Sequence, residues 1–68
     1  MKIYLNGEMR DVDDSLQLPQ LLERLGIAKK GIAVELNHKV LNAEIWPHTE
    51  LKAGDVLEIV HFVGGGAL

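Results

Sequence analysis

At 68 residues the chain is a single small domain, and a domain of this size buries only about 60% of the surface its unfolded chain exposes. That leaves no room for a substrate cleft walled by its own core, so a self-contained enzyme is not expected. A hydrophobic share of 47% and a charged share of 25% belong to a folding chain rather than a disordered one, while 7 basic against 10 acidic residues give a net charge of -3 with no Lys or Arg run to track nucleic acid or an anionic membrane.

The first segment, Lys2 to Leu5, alternates polar and apolar with Ile3 and Leu5 on one face, and Asn6-Gly7 is a strong hairpin signal. Glu8 to Val12 is the expected returning strand. A two-residue loop places Glu8, Arg10 and Val12 on the face of Ile3, whereas a bulged three-residue loop places Met9 there; the pattern leaves both registers open. The same Asn-Gly breaks the apolar N-terminus before a signal-peptide core can form, and no apolar run approaches the roughly 20 residues of a membrane span. The cytoplasm is the expected location.

Asp13-Asp14-Ser15 reads as a turn. Beyond it, Leu18, Leu21, Leu22 and Leu25 recur at helical spacing, which predicts one amphipathic helix over 18–25 with Pro19 in its first turn and Gly26 as its C-terminal cap. Gly31 to Asn37 alternates with Ile32, Val34 and Leu36 on the buried face. Asn37-His38-Lys39 forms a turn, Val40-Leu41 a brief pairing, and Asn42 to Thr49 an irregular turn around Pro47. Ala53-Gly54-Asp55 turns the chain into Val56–Val63, the longest predicted strand. The sum is an α+β layer in which one helix crosses one face of a small mixed sheet, its core built from Ile3, Leu5, Leu21, Leu22, Leu25, Val34, Leu36, Leu57 and Ile59. Residues 1–63 form this domain and residues 64–68 a flexible glycine-rich tail.

Few residues offer chemistry of their own. With no cysteine, neither a disulfide framework nor a thiolate zinc site is available. His38, His48 and His61 lack ligand spacing, so no metal is expected, and Asp11, Asp13 and Asp14 lack the Gly and terminal Glu of a calcium loop. Ser15 has no histidine beside it to activate it. The sole tryptophan, Trp46, reads as a plug over the core. Val60 and Phe62, alternating with the inward Leu57 and Ile59, point away from the helix, as does Tyr4. They read either as scattered exposed apolar residues or as a partner interface.

Gly64-Gly65-Gly66 is the segment the fold does not need. Three glycines after the last strand pack nothing and cost chain entropy wherever they are ordered. They read either as a flexible terminus or as a side-chain-free tail that threads a narrow channel in a partner, whose walls can close on the backbone.

The element order, the Asn6-Gly7 hairpin, the Leu21-Leu22 helix ending at Gly26, Val34-Glu35-Leu36-Asn37, and Ala53-Gly54-Asp55 leading to Ile59-Val60-His61-Phe62-Val63-Gly64-Gly65-Gly66 together resemble the ThiS-type sulfur carriers of thiamine biosynthesis. The likeness runs from Lys2 to Gly66. It implies a ubiquitin-like β-grasp fold with the last strand beside the first, and a co-substrate rather than an enzyme. By this resemblance an activating, ThiF-like enzyme uses ATP to adenylate the carboxylate of Gly66, sulfur from a cysteine desulfurase converts it to a thiocarboxylate, and a ThiG-like thiazole synthase takes that sulfur. The carrier itself binds no cofactor. Gly64 and Gly65 would thread the partner's active site, and Phe62, Val60 and Tyr4 would dock the body.

A thiocarboxylate oxidises readily, so a carrier without cysteine avoids trapping its own cargo. Lys52 is the lysine nearest the tail, on the far side of the last strand. Ala67 and Leu68 depart from the family's terminal glycine, and a trimming peptidase that removes them is expected. Two other classes fit the same residues: a sulfur carrier for molybdopterin, cysteine or methionine synthesis, and a β-grasp interaction module that carries nothing.

Overall fold

The computed structural model describes residues 1–62; the predicted tail, residues 64–68, and Val63 lie outside them. Five strands form one sheet: β1 (Lys2–Leu5), β2 (Glu8–Asp11), β3 (Ile32–Leu36), β4 (Lys39–Leu41) and β5 (Val56–His61), in the order β2-β1-β5-β3-β4. β5 is central, parallel to β1 and antiparallel to β3. One helix, α1 (Leu18–Arg24), and a 3₁₀ helix at Ala43–His48 complete the domain.

The first hairpin has the two-residue turn. Leu5 pairs with Glu8 and Ile3 with Arg10, and Asn6 and Gly7 both take positive φ, 49° and 83°, as a type I′ turn requires. β2 is therefore an edge strand whose four residues are all exposed, and Met9 faces outward opposite Tyr4. Asn37 and His38 repeat the device at the β3–β4 hairpin, with φ of 52° and 73°, and this fixes the brief pairing of Val40 with Glu35.

At the end of α1 the Gly26 N–H donates to the Glu23 carbonyl at 3.1 Å and the Ile27 N–H to the Leu22 carbonyl at 2.9 Å. This is a Schellman cap with Gly26 at φ 72°. It closes the helix at Arg24 with Leu25 as the cap, one residue short of the predicted end.

The core joins Ile3, Leu5, Ile32, Val34, Leu57 and Ile59 from the sheet to Leu18, Leu21 and Leu22 from α1. Leu25 and Leu36, predicted as core, are only partly buried at its margin: one caps the helix and the other ends β3. Their places are filled from the connections by Leu16, Trp46 and Leu51. Backbone bonds from the Leu51 N–H to the Leu16 carbonyl, 2.8 Å, and from the Leu18 N–H to the Thr49 carbonyl, 2.9 Å, draw the segment after the 3₁₀ helix against the start of α1. Trp46 is 6% exposed, and its indole N–H donates to the Leu41 carbonyl at 3.2 Å, so the plug also satisfies its polar edge.

β5 is shorter than the predicted 56–63 strand and ends at His61, opposite Ile32, where its neighbour β3 begins. The Phe62 N–H still donates to the Gly31 carbonyl at 2.8 Å, which places Phe62 at the margin of the sheet. Among the described residues no helix is long and apolar enough to cross a membrane.

Candidate docking face and the root of the tail

The helix covers one face of the sheet; among the described residues no helix covers the other. Alternation along β5 buries Leu57 and Ile59 and turns Val60 outward. Val60 and Phe62 are 57% and 60% exposed, and Tyr4 on β1 is 43% exposed. The three do not sit side by side. Tyr4 pairs with Val56, at the start of β5, so Val60 lies four residues farther along, about 13 Å at the rise of a strand.

Two apolar groups result. Tyr4 and the exposed Met9 stand at the entry end of β5, whereas Val60 and Phe62 stand at the exit end, beside the half-buried Ala33 that pairs with Val60. Between them lies an acidic step, because Glu58 is paired directly with Glu35. Val40, paired with Glu35 from the sheet edge, is the most exposed of the large apolar residues among those described, at 71%. A shallow hollow on this face is lined by Ala33, Val34, Glu35, Val40, Glu58 and Val60. Sequence reasoning found Val60 and Phe62 but not Val40 or the glutamate pair. Both follow from the two-residue turn at Asn37-His38, which sets β4 in register with Glu35.

The exit end is also where other residues gather. Gly31 meets Phe62 through the backbone, and Lys29 and Lys30 directly precede Gly31 in the chain. Lys52, named from sequence as the nearest lysine, belongs to the turn before β5 at its opposite end. Lys29 is held to Glu23 at 3.1 Å. His38 lies in the β3–β4 turn, His48 ends the 3₁₀ helix and His61 ends β5, and among the described residues no three His, Asp or Glu side chains come together as a metal site. Asp13 pairs with Arg24, and Asp11 and Asp14 with the Met1 ammonium. Gly64, Gly65, Gly66, Ala67 and Leu68 lie outside the described residues.

The model of the ThiS family matches residues 3–66, a range that takes in all five strands but the first residue of β1, the helix and Gly64-Gly65-Gly66. This chain belongs to the ThiS family. A crystal structure of the thiamine biosynthesis protein ThiS from Geobacter metallireducens superposes with a TM-score of 0.84 at 39% identity, covering 97% of this chain and 100% of that one. The sulfur carrier protein ThiS of Thermus thermophilus is 38% identical over 64 residues, 94% of this chain and 98% of the relative. The thiazole synthase of Magnetococcus marinus is 41% identical over 66 residues, 97% of this chain but 20% of the relative's length. Against thiazole synthases of that kind, this ThiS-family chain spans about a fifth of the protein. The β-grasp architecture expected from the sequence is the one observed, with β1 and β5 adjacent and parallel at its centre.

Proposed function

We propose that the protein is a sulfur carrier of thiamine biosynthesis, a co-substrate rather than a catalyst, with Gly66 as the residue that carries the sulfur. The observation that bears most on this reading is the family match, whose range extends past the β5 strand to residue 66, so that Gly65 and Gly66 fall within the matched residues. The relatives named as sulfur carrier proteins and as thiazole synthases support the same role, and the latter suggest a ThiG-like thiazole synthase as the acceptor.

The chemistry assigned to Gly66 proceeds on a partner. The Gly66 carboxylate attacks the α-phosphorus of ATP on a ThiF-like activating enzyme, releasing pyrophosphate and leaving an acyl adenylate. The terminal sulfur of a persulfide, supplied by a cysteine desulfurase system, displaces AMP. A thiol then takes the outer sulfur of the resulting acyl disulfide into a new disulfide, which leaves the thiocarboxylate on Gly66. This chain's contribution is binding and delivery: Gly64 and Gly65 enter the partner's channel without side chains, while the open face with Phe62, Val60 and Tyr4 holds the body against the partner. A bond from Gly66 to Ala67 makes the Gly66 carbonyl an amide with nothing to adenylate, so a peptidase that cleaves there would act first.

A strain that requires thiamine because it lacks its own carrier tests this role. The chain ending at Gly66 should restore growth and the same chain deleted from Gly65 onward should not. Rescue by the deleted chain would make it an interaction module instead, and rescue only of a molybdopterin, cysteine or methionine requirement would move it to another sulfur pathway.

A further inference from the structure

β5 carries the tail, and the two sides of β5 are held by different means. On one side β3 pairs with it from Leu36 opposite Leu57 to Ile32 opposite His61. On the other side β1 pairs with it only as far as Leu5 and Leu57, because the chain then turns away at Asn6-Gly7. The Tyr4 N–H donates to the Asp55 carbonyl and the Asn6 N–H to the Leu57 carbonyl, both at 2.9 Å. A continuing parallel strand would next offer a carbonyl to the Ile59 N–H and an N–H to the Ile59 carbonyl.

The Asn6 side chain supplies both. Its Oδ1 accepts the Ile59 N–H at 2.7 Å and its Nδ2 donates to the Ile59 carbonyl at 3.2 Å. The orientation of the amide is fixed by its partners, since a backbone N–H can only donate and a carbonyl only accept. A carboxamide has the donor and acceptor of a peptide group, so Asn6, whose backbone N–H makes the last main-chain bond of β1 to β5, extends the ladder by one further step with its side chain.

We propose that Asn6 is a positioning residue for the sulfur-bearing tail: by clamping Ile59 it fixes the direction in which β5 leaves the sheet at Phe62. This rests on the carrier reading. The turn needs only a residue that tolerates positive φ, for which glycine serves as well. The carboxamide is required by the clamp alone.

Asn6→Gly therefore separates the two roles, keeping the turn and removing the clamp. Measured on the chain ending at Gly66, the Ile59 amide should exchange with solvent about tenfold faster, the loss of one to two net hydrogen bonds, while the Leu57 and Val60 amides stay protected relative to global unfolding. Thiocarboxylate formation with the activating enzyme, ATP and a persulfide donor should lose kcat with little change in KM, because the docking face is intact. Asn6→Asp keeps the side chain's size and the acceptor for the Ile59 N–H but has no proton for the Ile59 carbonyl; it should keep Ile59 protected and still lower kcat. Unchanged exchange at Ile59 in Asn6→Gly, or faster exchange with unchanged loading, overturns the proposal, as does loading by Asn6→Asp at the full rate. If the unsubstituted chain acquires no sulfur, the carrier reading fails and the positioning role with it, whereas the exchange data still show whether the clamp exists.

Discussion

Asn6 and Asn37 stand at corresponding places in the two hairpins, each at positive φ in a two-residue turn and each bonded to β5. Asn37 grips the start of the strand, its N–H donating to the Val56 carbonyl at 2.7 Å and its Oδ1 accepting the Val56 N–H at 2.9 Å. Both turns were legible from sequence because asparagine tolerates the left-handed region. The second role was not, since local pattern carries no sign that a turn side chain reaches a strand 53 positions away. The chain start offers a test of electrostatics at the same scale. The Met1 ammonium lies 3.0 Å from Asp14, 3.3 Å from Asp11 and 2.5 Å from the Val12 carbonyl, and its pKa is raised from the ordinary 8.0, above all by the hydrogen bond to Asp14. A raised folded pKa means that the contact contributes fully below the unfolded value and is lost as pH rises through the folded one. The melting temperature should therefore fall as pH rises above the ordinary 8.0 and through the raised folded value, and Asp14→Asn should start lower and fall less. An equal fall in both proteins would remove this pair from the stability of the fold.

Among the elements, those whose pattern is long or whose turn chemistry is specific were the readable ones. α1 announced itself by Leu18, Leu21 and Leu22, all buried, and the β1–β2 hairpin by Asn6-Gly7. Leu16 and Leu51 were not readable as core, because their burial depends on a single backbone bridge between segments 35 residues or so apart in sequence. The open face shows the same limit: outward residues on β5 followed from alternation, but the separation of Tyr4 from Val60 depends on the register between β1 and β5. That separation makes a prediction. If the partner grips the exit end while the tail enters its site, Phe62→Ala should weaken binding to the activating enzyme by about tenfold or more, and Tyr4→Ala, at the entry end, by less. Titration calorimetry on both variants, each first shown to melt cooperatively, gives the answer; equal losses would make the face one continuous site, and no loss at Phe62 would take it out of the interface.

At the scale of the whole molecule, a sheet whose central strand is followed in the sequence by three glycines suits the proposed division, in which the body is a handle and Gly66 the reagent. Small size fits this proposal: the domain would have no need to enclose a substrate if the partner encloses its tail. The absence of cysteine among the 68 residues would keep the proposed cargo from being captured by its own carrier. The central claim is that Gly66 carries sulfur as a thiocarboxylate. Intact-mass measurement after incubation with the activating enzyme, ATP and a persulfide donor tests it most directly. The chain ending at Gly66 should gain the mass difference of one oxygen exchanged for sulfur, located on Gly66 by fragmentation, and the 68-residue chain should not. No gain on the shorter chain, or an equal gain at Leu68 on the longer one, would contradict it.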